Sequence, residues 1–300
     1  MYQYIALRNT QGMCNRIKVL FSSLRFDLDE KELLHLYWPT DGMSKTPFFS
    51  LFQFDLCRIE EHNEPFVSVE GREEYNIGRK RVWRLDVAPG EVPEGFTKAY
   101  PKTKTNLPEC IDLEYNRIPQ NVKDAYGRYF QALRPSEQVK QRMEELERPD
   151  EYVGVHIRLN EEWKQWNRSN GAGTNQFIRV MKKYPKDTKF FLASCDAEVA
   201  DEIKKAFPDR ILELPEKDYL GDIDAIADLY LLAGGKELIA TFGSSFSEVA
   251  WWLGGAEAKV GVVGSYFQWR VQDYISRKFK RIKKGKIDHE RTNFRSDTST

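Results

Sequence analysis

Short runs of β-branched and aromatic residues recur through the second half of the chain, separated by stretches of helical period. Residues 152–157, 189–194, 210–214, 237–241 and 259–263 are compact apolar runs bounded by charged or turn-forming residues. Such runs predict strands buried in a sheet. Between them, residues 196–207 open on Asp196 as a helix N-cap and bring Val199, Ile203, Ala206 and Phe207 to one face. Residues 222–233 align Ile223, Ile226, Ala227 and Tyr230, and a helix capped by Ser245 or Ser247 carries Val249, Trp252 and Leu253. Strands alternating with helices of this length predict βαβ units and a parallel sheet, an α/β fold.

The first half is less regular. Residues 4–7 read as a strand, 13–26 as a helix with Ile17, Leu20, Phe21 and Leu24 at helical spacing, and 33–38 as a second strand. From Asp41 to about Pro119 the many Pro, Gly and Glu residues break the pattern, predicting long loops with short strands at 66–69 and 81–87. Helical period returns at 121–133 and 136–146. Arg148-Pro149-Asp150, just ahead of the Tyr152 run, marks the expected domain boundary.

Composition narrows the class. A chain of 300 residues suits two domains of roughly 150 residues each. With 41% hydrophobic and 13% aromatic residues it can fill real cores, so disorder is excluded for most of its length. Lys plus Arg and Asp plus Glu both total 46, which leaves no net positive field to hold a polyanion and disfavours bulk nucleic-acid binding. No stretch approaches the roughly 18 apolar residues of a membrane span. The N-terminus lacks the pattern of a secretory signal, and a cytoplasmic location is expected. Cys14, Cys57, Cys110 and Cys195 form no C-x-x-C pair, so they read as free buried thiols rather than a zinc or disulfide framework. The basic stretch 277–286 reads as a solvated helix end in preference to a membrane-surface contact, because few apolar residues interleave.

Parallel α/β sheets bind ligands beyond the carboxyl ends of their strands. After the predicted strands come Asn9 to Arg16, then His156, Arg158 and Asn160-Glu161-Glu162, then Ser194-Cys195-Asp196, then Thr241-Phe242-Gly243-Ser244-Ser245. All four sets are small, polar or charged. Gly243-Ser244-Ser245 leads from strand to helix and offers N–H groups at a positive helix end, which suits a phosphate. Arg158 can add two parallel donors. Asp228, with Ile226 and Leu229 beside it, can accept two N–H bonds from a guanine edge. The alternatives are plain N-capping for the serines, an ion pair for Arg158 and a solvent-facing position for Asp228. Together the residues describe a nucleotide-diphosphate pocket. A P-loop is absent, Gly171-Ala172-Gly173 lacks a third glycine, and Gly243-Ser244-Ser245-Phe246-Ser247 misses the last glycine of a nucleophile elbow. Asp27-Leu28-Asp29 and Asp222-Ile223-Asp224 match a metal–diphosphate pattern short enough to arise by chance, and no metal is assigned.

At Val153-Gly154-Val155-His156-Ile157-Arg158 the sequence resembles the α1,2/α1,6/protein-O fucosyltransferase superfamily, which includes the rhizobial nodulation enzyme. The family's strand ends in His-x-Arg, often followed by an acid five residues after the histidine; here that place holds Glu161. Residues 190–199, 228–232 and 241–250 are similar to further family motifs, and Gly12-Met13-Cys14-Asn15-Arg16 to its Gly-x-Gly-Asn loop. The resemblance implies a GT-B fold of two Rossmann-like domains facing a cleft. They would be an acceptor-side domain over 1–149, a nucleotide-sugar domain over 150–275 and a basic, polar tail over 276–300. It also implies inverting, metal-independent transfer of fucose from GDP-fucose to a glycan or other hydroxyl. GDP-rhamnose or GDP-mannose are alternative donors, and a non-catalytic carbohydrate- or nucleotide-binding protein is the rival class. By motif position Arg158 would bind the diphosphate, Asp228 the guanine, and Ser244 and Ser245 the phosphates. Asp196, His156, Asn15 and Phe246 would complete the donor set. Glu161 and Glu162 are the candidate bases, though the chain reads Trp163-Lys164-Gln165-Trp166-Asn167 where the family's assigned acid lies. The acceptor would meet residues 41–119.

Overall fold

The protein is represented by a computed structural model that describes residues 3–6, 12–27, 33–38, 40, 44–62, 73–77, 80–84, 120–159 and 172–264. The expected strand at 66–69, Cys110, Glu161, Glu162, Trp163, Trp166 and the basic stretch 277–286 lie outside the described residues. No helix among the described residues is long and apolar enough to cross a membrane.

Five strands build the first sheet. β1 (Gln3–Ala6), β2 (Leu33–Tyr37) and β4 (Arg58–His62) run parallel. A hairpin of β5 (Glu73–Ile77) and β6 (Lys80–Arg84) joins the other edge of β1 antiparallel, so the sheet is mixed. Helix α1 (Met13–Asp27) links β1 to β2. A four-residue helix, α2 (Phe48–Leu51), runs straight into the short strand β3 (Phe52–Gln53), which pairs with β7 (Arg134–Pro135).

The second sheet is wholly parallel. Its members are β8 (Val153–Ile157), β9 (Phe190–Ser194), β10 (Ile211–Leu212), β11 (Glu237–Thr241) and β12 (Lys259–Val263). They lie in the order β10-β9-β8-β11-β12. The chain starts at β8, builds outward to one edge, then returns to build the other, which is the doubly wound pattern. β8 and β9 are buried at every residue, as strands covered on both faces must be. Val153, Val155 and Ile157 pack with α5 (Thr174–Met181) and α6 (Ala197–Ala206). The other face lies against α7 (Asp222–Ala233), and α8 (Ser245–Leu253) packs on α7.

Helices α3 (Gln120–Ala132) and α4 (Glu137–Glu144) precede the expected boundary yet pack on α8 and α7. The result is one apolar core shared by both halves. Phe21 of α1 meets the Phe130 ring edge-on at 4.8 Å, and Phe130 stacks on Trp252 of α8 at 5.3 Å. Polar ties flank this core. Lys18 of α1 pairs with Glu248 of α8, both buried. Arg142 of α4 grips Asp224 with two N–H groups, at 2.6 and 3.0 Å. Asp222 Oδ2 accepts the backbone N–H groups of Lys45 and Thr46 at 2.7 and 2.9 Å.

Glycine permits the closest approach in the second half. A Cβ on Gly235 would lie 2.8 Å from the Gly154 backbone nitrogen, where the α7–β11 loop crosses β8. Gly235→Ala is therefore expected to cost ~1–3 kcal/mol, the usual penalty of overpacking. Gly261→Ala on β12, whose Cβ would meet nothing within 4 Å, should be close to neutral. Urea denaturation of the two variants checks the contrast; equal midpoints would refute it.

Candidate active site

The strand order reverses between β8 and β11, and at such a reversal the two flanking loops part to leave a crevice. Thr241, the last residue of β11, joins the two strand ends. Its hydroxyl donates to the His156 carbonyl oxygen at 2.7 Å and accepts the Arg158 N–H at 3.1 Å. Side chains alternate along a strand, so the His-x-Arg spacing puts both functional residues on one side. Ile157 between them faces the apolar cluster of the opposite side. After Thr241 the chain turns through Gly243, whose φ of 69° favours a residue without Cβ, and enters α8.

Ser244 holds the N-cap position of α8, but its side chain makes no capping bond. Its hydroxyl lies 3.5 Å from His156 Nδ1, at the outer limit of a hydrogen bond. The close partner of Nδ1 is Ser247 Oγ at 2.7 Å, and the Phe246 ring stacks on the imidazole at 4.7 Å. His156 thus acts as a strut under the first turn of α8. The first N–H groups of a helix have no partner within it, so this turn points uncapped donors at the crevice. Ser245, half-buried, is the first helical residue.

Burial drives the His156 pKa down to about 3, and the Arg158 and Lys217 cations add to that effect. The imidazole is neutral and serves as no proton shuttle near pH 7. Burial also pushes the Cys14 thiol up to about 12, against the Arg158 and Lys18 cations and with the Glu248 carboxylate. Asn15 sits half-buried next to Cys14 in the first turn of α1.

Asp228 lies inside α7 and is buried. Lys217 Nζ holds its Oδ2 at 2.5 Å, with both side chains shut away from water. Sequence reading offered both oxygens to a base; the structure leaves Oδ1, which among the described residues is buried without a hydrogen-bond partner. Burial raises the Asp228 pKa to about 7, opposed by Lys217. Lys217 was missed from sequence: nothing in Pro215-Glu216-Lys217-Asp218 distinguishes it from a solvated loop charge. Asp196, at the exit of β9, caps α6 by accepting the Val199 N–H at 3.2 Å, the alternative use foreseen for such an acid. Asp222 and Asp224 serve as ties to the first half.

The structure thus gathers His156, Ser244 and Phe246 directly, with Ser245 next in the chain and the Arg158 backbone tied to the same strand end through Thr241; Asn15 lies half-buried in the first turn of α1, and Asp228 is bound to Lys217. A guanidinium and an open helix N-terminus suit a diphosphate. Glu161 and Glu162 lie outside the described residues.

His156 has a measurable consequence for stability. The unfolded imidazole takes up a proton below its ordinary pKa of 6.5, whereas the folded one resists until about pH 3. Its contribution is complete above pH 6.5 and is lost on acidification. His156→Gln should remove this loss. From pH 6 to 4 the stability gap between wild type and variant should shift in the variant's favour, by up to ~1.4 kcal/mol per pH unit. Urea titrations at several pH values measure it; parallel curves would contradict a buried, neutral imidazole.

No protein family and no curated protein matches the sequence. Solved structures do. NodZ α-1,6-fucosyltransferase soaked with GDP-fucose is 17% identical, aligns over 84% of this chain and 93% of its own, and has a TM-score of 0.50. POFUT1 in complex with GDP-fucose is 14% identical, aligns over 87% and 98%, and has a TM-score of 0.54. Its apo form gives 14% identity over the same shares and a TM-score of 0.52. The doubly wound sheet with its partner half accordingly has the GT-B fold of the fucosyltransferases.

Proposed function

We propose that the protein is an inverting, metal-independent glycosyltransferase that moves fucose from GDP-fucose to a glycan or other hydroxyl acceptor. The observation that carries this reading is the bonding of the Thr241 hydroxyl at the end of β11 to the His156 carbonyl and the Arg158 backbone N–H, which sets the root of the Arg158 side chain beside the turn that leads into the uncapped first turn of α8. Similarity to folds solved with GDP-fucose supports the choice of donor.

In the reaction the bond between the sugar C1 and the β-phosphate oxygen breaks, and the diphosphate keeps the electron pair. The Arg158 guanidinium and the N–H groups of Ser245 and its neighbours lie where that negative charge grows. Fixed donors of this kind stabilise the transition state more than the ground state. They also supply the charge a divalent ion would otherwise provide, in keeping with the engagement of Asp222 and Asp224 by protein donors. The acceptor oxygen attacks C1 from the opposite side, which inverts the centre, and its proton passes to a base. Glu161 and Glu162 follow the motif and are the candidates for that base. Asn15 and Asp196 border the donor site from α1 and from the exit of β9. Residues 41–119 are the proposed acceptor region.

Arg158→Ala should lower the turnover of GDP-fucose by ~10²–10³-fold while the urea midpoint stays close to wild type. Mass spectrometry of products from a panel of nucleotide sugars and glycan acceptors provides the assay. Undiminished turnover in the variant would remove Arg158 from the mechanism. Wild-type protein that binds GDP but yields neither transfer nor donor hydrolysis would point to a binding protein.

A further inference from the structure

We propose that Lys217 is a positioning residue for base recognition: by occupying Asp228 Oδ2 it leaves Oδ1 as a single, directed acceptor for an N–H on the edge of the donor's nucleobase. This deepens the nucleotide-sugar reading above and rests on it. Buried polar groups are as a rule hydrogen-bonded, so an orphaned carboxylate oxygen calls for a reason. Here one oxygen is served at 2.5 Å and the other, among the described residues, is buried without a hydrogen-bond partner. Two apolar side chains would fill this space at less cost.

Lys217 is itself held in place. Its Nζ lies 5.1 Å from the centre of the Tyr219 ring, and Tyr219 donates its hydroxyl proton to Glu213 at 3.0 Å. Asp228 lies on α7, which packs against β8 and β9, and Lys217 precedes that helix in the loop after β10, so the pair sits on the sheet that carries the crevice. The charged and titratable groups around Asp228 are few. Lys217, Tyr219 and Glu213 come from the β10–α7 loop, and Glu213 is paired with Lys204. Asp224 comes from α7 itself and is bound by Arg142 of α4. His156 comes from β8, and Glu248 of α8 is paired with Lys18. Lys217 is the cation that favours the charged form of Asp228, against burial and the two neighbouring acids.

The test is the ratio of GDP to UDP affinity, measured by calorimetry from pH 5.5 to 9, because the ratio cancels the titration of the diphosphate. With Asp228 titrating at about 7, the wild-type preference for GDP should fall as pH drops through that value. In Lys217→Met the fall should move up by about one pH unit or more, which lowers the preference at pH 7 roughly fivefold. Lys217→Arg should restore the wild-type curve, and Asp228→Asn should flatten it. Should Lys217→Met not fold, Lys217→Gln takes its place. A folded variant whose curve superimposes on wild type would overturn the role of Lys217 while leaving the donor assignment intact. Wild-type protein with no preference for GDP at any pH would overturn the donor assignment, and this inference with it.

Discussion

One hydroxyl sets the geometry on which the site depends. Beyond its last ladder bond a parallel strand carries backbone groups with no neighbour to receive them. Thr241 Oγ1 serves two of these at once, as donor to His156 O and acceptor from Arg158 N–H. A valine of the same shape would leave both unpaired inside the sheet, because Thr241 is buried. The bond fixes where β8 stops being a strand, and so where the Arg158 side chain departs. The same residue then begins the turn that delivers Ser244 to α8. The Arg158 backbone and the turn into the helix are therefore placed relative to each other by a local contact.

Burial makes the site's two titrating groups act in opposition. His156 is pushed down to about 3 and Asp228 up to about 7. On unfolding between roughly pH 4 and 6.5 the histidine binds a proton while the aspartate releases one, and the two effects on stability largely cancel. Near pH 7 the imidazole is therefore neutral, and the Lys217 ammonium is engaged by Asp228.

Legibility followed the local periodicities. Residues 222–233, 237–241 and 259–263 were readable because period and caps agree with the tertiary surroundings. Of the antiparallel pair, β6 falls in the run expected at 81–87, but β5 was not readable, since Glu73-Glu74-Tyr75-Asn76-Ile77 sits at a sheet edge and carries charge where a central strand carries valine. Helix 174–181 escaped because its N-cap is Gly173, which supplies no side-chain signal. The site divides in the same way. His156 and Arg158 at the end of β8, and Ser244 and Ser245 in the turn from β11 into α8, could be found by position. Lys217 could not, because its partner lies one helix away and only packing brings the charges together. The Asp-x-Asp of Asp222 and Asp224 shows the converse: a pattern short enough to suggest a metal, used here to hold backbone N–H groups and an arginine.

Those two acids also connect the halves of the molecule to the proposed base site. The first turn of α7 is anchored by Lys45, Thr46 and Arg142, all from the first half. Asp228 lies further along the same helix, and helices transmit displacement with little bending over so short a span. The segment 44–46 belongs to the stretch proposed to meet the acceptor. Its anchor point and Asp228 thus share one rigid element, and the shared aromatic core of Phe21, Phe130 and Trp252 limits how far the two halves can shift against it.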